Sequence, residues 1–204
     1  MPSRKSPLFP DVDFLLPLGP AGLLQGAGFK RAGRNFTRTR EESIQGVYFR
    51  TSQFGASTFQ AVATVFHRGH HEIISGRPFP QNPFPGKAIP LIQLEVPRRL
   101  EDGSKSPWWQ VTYGAEIGPL SEDLAVSLSS SLRLLESWSD PEVVKERLLS
   151  RDPVPEDVQI GTGALASLLA LSGDLAGATE ALLRVPLPPS VRAQIEQRLR
   201  EFAS

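Results

Sequence analysis

The spacing of apolar positions changes twice along the chain. Up to Gly26 the apolar residues come in short runs broken by proline. Pro10 and Pro20 suit the first turn of a helix, and Gly26 and Gly28 suit helix stops, so one or two short helices are expected. From residue 34 the period falls to two. Residues 34–40 read as a polar strand anchored by Phe36, and Glu41–Glu42 as a turn. Residues 43–52 (SIQGVYFRTS) form a strand with Val47 and Phe49 on one face. QFGAS is a turn. Residues 58–67 (TFQAVATVFH) are rich in β-branched and aromatic side chains and give the strongest strand signal. The short links predict an antiparallel meander.

Residues 76–90 (GRPFPQNPFPGKAIP) hold five prolines, which supply no backbone donor and rule out helix or central strand. A long loop is expected there. A short strand follows at 90–97, with Ile92, Leu94 and Val96 on one side. Residues 101–104 (EDGS) signal a turn and lead to WWQVTYG, completing an expected second hairpin. Beyond Gly118 the period becomes 3.6. Leu120, Leu124, Leu128, Leu132 and Leu135 make one stripe, with Ser121 as the expected N-cap and Trp138 closing the helix. Asp140–Pro141–Glu142 starts another helix, running to about Ser150. Residues 151–158 read as a linker. Two helices joined at Gly173–Asp174 follow, and then an amphipathic helix striped by Val191, Ile195, Leu199 and Phe202. The fold class is α+β: short N-terminal helices, an antiparallel meander sheet and a helical C-terminal third. The expected division is an α+β domain over residues 1–150 with a helical extension over 151–204.

Composition narrows the function classes. Lys+Arg and Asp+Glu are both 22, so no global field favours nucleic acid or an anionic membrane. The chain has no cysteine, which excludes disulfides, thiol nucleophiles and cysteine zinc sites and fits a cytoplasmic location. The longest apolar run, residues 14–24, carries two prolines and is too short to span a bilayer. With Asp11 and Asp13 at its edge it also makes a poor secretion signal. The neutral total hides a dipole. Residues 30–50 hold Lys30, Arg31, Arg34, Arg38, Arg40 and Arg50 against Glu41 and Glu42, whereas residues 121–160 hold nine acids and four bases.

All three histidines fall in HRGHH: His67, His70 and His71. A metal site would need three or four converging ligands, and no HExxH-type helix or partner motif accompanies them. Arg68 also opposes a bound cation. The segment is therefore expected to be a solvated hairpin end, with Gly69 supplying an unusual dihedral. Alternation puts Arg34, Phe36, Arg38 and Arg40 on one face. If Phe36 points inward, at least one arginine borders the core, or a bulge intervenes. Trp108 and Trp109 must face opposite ways, so one is core and the other is a candidate interface anchor. Phe79 and Phe84 either pin the proline loop to the sheet or leave it sticky. No GxSxG, P-loop or GxGxxG pattern is present.

The segment GFKRAGRNFTR, followed in order by IQGVYFRTSQFG, an FxVxxxVF-like strand and a Trp-Trp hairpin before a leucine-striped helix, resembles a bacterial domain-of-unknown-function family. The likeness covers about residues 12–150. It departs where Pro17 and Pro20 break the N-terminal helix and where the proline loop intervenes. It implies an α+β fold without an established activity, and families of this kind often act as immunity or accessory proteins in bacterial conflict. The expected function is a non-enzymatic protein-binding module, in the manner of an immunity or antitoxin protein. Its partner is another protein such as a toxin, and it requires no cofactor. Arg34, Arg38, Tyr48, Arg50, Phe79, Phe84 and Trp108 are the expected contact residues. The competing readings are a ligand- or metal-dependent enzyme in which the histidines and Arg38 share a pocket, and RNA binding through the basic strands. Membrane binding and nucleic acid are disfavoured.

Overall fold

The computed structural model describes residues 12–52, 55–112 and 116–202. Two short helices, α1 (Val12–Leu15) and α2 (Pro20–Gly26), flank a 3₁₀ turn. They lead into strands β1 (Lys30–Ala32), β2 (Asn35–Arg40), β3 (Ser43–Ser52) and β4 (Gly55–His67). Helix α3 (Arg68–Ser75) follows β4 without a break. Then come β5 (Ile92–Glu95), β6 (Arg98–Arg99), β7 (Lys105–Ser106), β8 (Trp109–Gln110), α4 (Ile117–Ser137), α5 (Pro141–Ser150), β9 (Val158–Ile160), α6 (Ala164–Leu171), α7 (Leu175–Leu183) and α8 (Pro189–Phe202). Seven strands form one sheet in the order β1-β2-β3-β4-β5-β9, with β8 also on β4, and β6 and β7 make a separate two-stranded ribbon. The class is α+β with a helical C-terminal part. The expected helix start at Pro10, the acid at Asp11, the head of the QFGAS turn and the end of the WWQVTYG segment lie outside the described residues. Among the described residues no helix is long and apolar enough to cross a membrane.

Contacts divide the chain into two units: Met1–Arg38, Gly46–Ala63 and Leu94–Leu134 in one, and Thr39–Gln45, Thr64–Gln93 and Leu135–Ser204 in the other. The first unit is built on an aromatic ladder. Phe36 meets Phe49 edge-on at 6.0 Å, Phe49 meets Phe59 at 6.2 Å, and Phe59 stacks on Trp109 at 6.3 Å. Phe36 is fully buried on a strand otherwise rich in arginine. The arginines that flank it reach the N-terminal helices. Arg34 makes a two-pronged ion pair with Asp13 at 2.8 Å, and Arg38 donates to the Ala27 carbonyl at 2.7 Å while lying over the Phe29 ring. Ser121 is not the N-cap of α4. It lies inside the helix, buried, and donates to the Leu15 carbonyl.

The expected second hairpin is differently paired. Val96 donates to the Ala61 carbonyl, and β8 pairs antiparallel with β4 through Thr58↔Gln110 and Phe59↔Trp109. The backbones of Val96 and β8 are therefore each held by β4, not by each other. The turn closes a smaller ribbon, Arg98↔Ser106 and Arg99↔Lys105, which stands between them as an arm. The indole Nε1 of Trp109 donates to the Val96 carbonyl at 2.9 Å and closes the neck of that arm.

In the second unit α6, α7 and α8 enclose a core of small and branched residues including Ala166, Leu169, Ala178, Leu182, Ile195 and Leu199, with Ile73 of α3 among them. Arg198 of α8 donates to the carbonyls of Ile73 and Ile74, satisfying acceptors that the end of α3 leaves open. Gly161 sits against the Pro90 carbonyl, where a Cβ has no room. The stretch read as a linker ends in β9, whose three residues are too few to carry a periodic signal.

Candidate functional site

The second unit contains a cleft of about 840 Å³. Four separate segments build it. The β2–β3 turn brings Arg40, Glu41 and Glu42. The end of β4 brings His67. The α4–α5 junction brings Glu136, Asp140 and Glu142, and α6 brings Leu168 and Leu171. Local chemistry fixes each segment. Glu41 adopts a left-handed φ of 48° to turn the chain in a tight link. Asp140 caps α5 by accepting from the Glu142 amide at 2.9 Å, with Pro141 in the first turn. Leu168, which is buried, and Leu171, which is 39% exposed, make the α6 part of the lining apolar, and the buried Ser43 and Gln45 add polar groups. Two cations answer these five carboxylates: the Lys145 ammonium pairs with Glu142, and the Arg40 guanidinium lies near Glu136. Arg40 reaches Glu136 only at 4.0 Å, with both side chains more than half exposed, so it neutralises little.

HRGHH is not a solvated hairpin end. It is the start of α3, and all three imidazoles are buried, at 5%, 0% and 2% exposure for His67, His70 and His71. His67 is the N-cap, with Nδ1 accepting from the His70 amide at 3.3 Å and Nε2 lying 3.5 Å from a Glu42 carboxylate oxygen. His70 Nδ1 meets the Ser167 hydroxyl at 2.7 Å. His71 Nδ1 accepts from the Ile89 amide at 3.0 Å, its Nε2 meets the Ser75 hydroxyl, and its ring packs edge-on against Phe79. Burial pushes all three below the ordinary histidine value, and His70 goes down to about 3. For His67, Glu42 opposes that shift. Gly69 needs no unusual dihedral. Its missing side chain leaves room for the end of the Leu171 side chain, which packs against it. Among the described residues no group of three or more histidine or carboxylate side chains is arranged to hold a metal.

The expected contact residues scatter. Arg34 and Arg38 are engaged by the N-terminal helices as described, and Tyr48 is buried, 3% exposed. Phe79 and Phe84 are half-buried. The Phe79 amide donates to Glu72, and Lys87 lies over the Phe84 ring at 4.9 Å. Arg50 and Trp108 are the exposed members, with Trp108 at 44%. Trp109 is the core member of the tryptophan pair. Sequence reasoning missed the cleft itself. Its signal was the acid excess of residues 121–160, which counts as surface charge until the fold adds Glu41 and Glu42 to the same lining.

A family model described as a domain of unknown function, DUF4304, matches residues 21–133. No curated protein and no solved structure matches the chain.

Proposed function

The chain belongs to the DUF4304 family, and we propose that it is a non-enzymatic binding protein whose cleft takes a cationic segment of another protein. The presence of carboxylates and two leucines in one cleft lining carries this reading. A lysine or arginine side chain presents a charged head on an apolar stem, and that pairing matches such a cleft. Binding, and not catalysis, is also favoured by His67. Its Nδ1 is occupied by the helix cap and its Nε2 faces Glu42, so neither is set against a nucleophile. A toxin with a basic surface is one partner of this class, which gives the immunity-type reading its physical form.

The test is a fluorescence anisotropy titration with a labelled tetralysine peptide at pH 7.5 and low salt, with tetraglutamate as control. Lysine peptide should bind and glutamate should not. The double variant Glu42→Gln, Glu142→Gln should weaken binding about tenfold, the sum of two partly screened charge pairs. Equal binding of the two peptides, or an unchanged affinity in the double variant, refutes the reading.

A further inference from the structure

The proposed cleft has a device for releasing its ligand, and it lies where β4 becomes α3. His67 is both the last residue of β4 and the cap of α3, and it is the imidazole that lines the cleft. The cap requires a lone pair on Nδ1, because that atom accepts from the His70 amide. The proton of the neutral ring must then sit on Nε2, toward Glu42. A second proton can only go on Nδ1. It would confront the His70 N–H and remove the cap.

The surroundings set a balance that a ligand can tip. The β2–β3 turn faces His67 with Glu41, Glu42 and Arg40. The end of α4 contributes Glu136, and the start of α5 Asp140 and Glu142, the latter paired with Lys145 of the same helix. Helix α3 itself carries Arg68, His70, His71 and Glu72, and its N-terminal amides disfavour a cation. From α6 only Leu168 and Leu171 reach the cleft, so that wall is uncharged. The carboxylates favour an imidazolium, while burial and the helix end oppose it. A cationic ligand and a protonated His67 would draw on the same carboxylates.

We infer that His67 is a proton-operated clasp: neutral, it caps α3 and lets the cleft hold a cation, and protonated, it uncaps α3, competes for Glu42 and expels that cation. The inference rests on the proposed cleft function. It predicts reciprocal coupling, in which an occupied cleft makes His67 harder to protonate and a protonated His67 weakens binding by the same factor.

The test compares the full chain with His67→Asn, which keeps an N-cap acceptor but does not titrate between pH 7.5 and 5. Labelled tetralysine is titrated across that range. The wild-type dissociation constant should rise at least about fivefold more than that of His67→Asn. Nitrogen-15 spectra without peptide provide a second reading. The His70 amide should shift with the same midpoint as the His67 ring in wild type, and stay fixed in the variant. Parallel loss of binding in both proteins, or a His70 amide that ignores His67 protonation, overturns the clasp. No peptide binding by either protein at pH 7.5 overturns the cleft function, and the clasp's role in release with it, so the two failures are distinguishable.

Discussion

A buried histidine that must stay neutral ties folding stability to pH, and His70 permits the size of that effect to be worked out. Its ordinary value of 6.5 falls to about 3 in the folded protein, chiefly through burial, with His67 and His71 adding repulsion. The unfolded chain therefore takes up this proton at a higher pH than the folded chain. The contribution is full above pH 6.5 and is lost as pH falls toward 3. Between pH 7 and 5 the unfolded state gains about 2 kcal/mol on this account, since each unit below 6.5 is worth about 1.4 kcal/mol. His67 and His71 are shifted in the same direction and steepen the total slope. The assay is urea unfolding at pH 7 and pH 5 for wild type and for His70→Asn, whose amide can still face the Ser167 hydroxyl. The variant starts less stable, but its loss between the two pH values should be smaller by about 2 kcal/mol. Equal losses in the two proteins would show that His70 does not stay neutral in the fold.

Three further outcomes follow from packing. Trp109→Phe keeps the ring on Phe59 but leaves the Val96 carbonyl without its donor, and should cost about 2 kcal/mol by denaturant midpoint. Gly161→Ala places a methyl against the fixed Pro90 backbone, whereas Gly69→Ala meets only the mobile end of Leu171. Thermal melts should therefore rank Gly161→Ala as clearly the more damaging. Arg198→Ala removes two hydrogen bonds to α3 carbonyls and should cost about 1–3 kcal/mol, with amide exchange rising first in α3 and α8.

Local signals proved legible where residue chemistry alone decides the outcome. Asp140–Pro141–Glu142 starts α5 because an aspartate cap and a first-turn proline need no distant partner. SIQGVYFRTS is β3 from end to end, since alternation and β-branching agree. What escaped was set by partners far along the chain. Helix α3 is eight residues long and half polar, and its histidines look solvated until Ser167 and Ile89 arrive to satisfy them. The pairing of β8 with β4 was hidden because the EDGS turn supplies a hairpin of its own, which satisfies the turn chemistry without fixing which longer strands pair. The cleft was least visible of all. Four segments build it, and no one of them holds both the acids and the leucines.

The arm between Val96 and Trp109 has a consequence for engineering. Hydrogen bonds to β4 hold the chain on both sides of the arm, and an indole seals its neck. Its length is thus uncoupled from the register of the sheet. Gly103 lies at the exposed tip, donating to the Leu100 carbonyl within the turn. Gly103 itself holds a φ of 82° and is best kept, but an epitope tag or a fluorophore-bearing cysteine at the neighbouring exposed Glu101 would report on the protein from outside, while the alignment of Phe59 with Trp109 stays as it is.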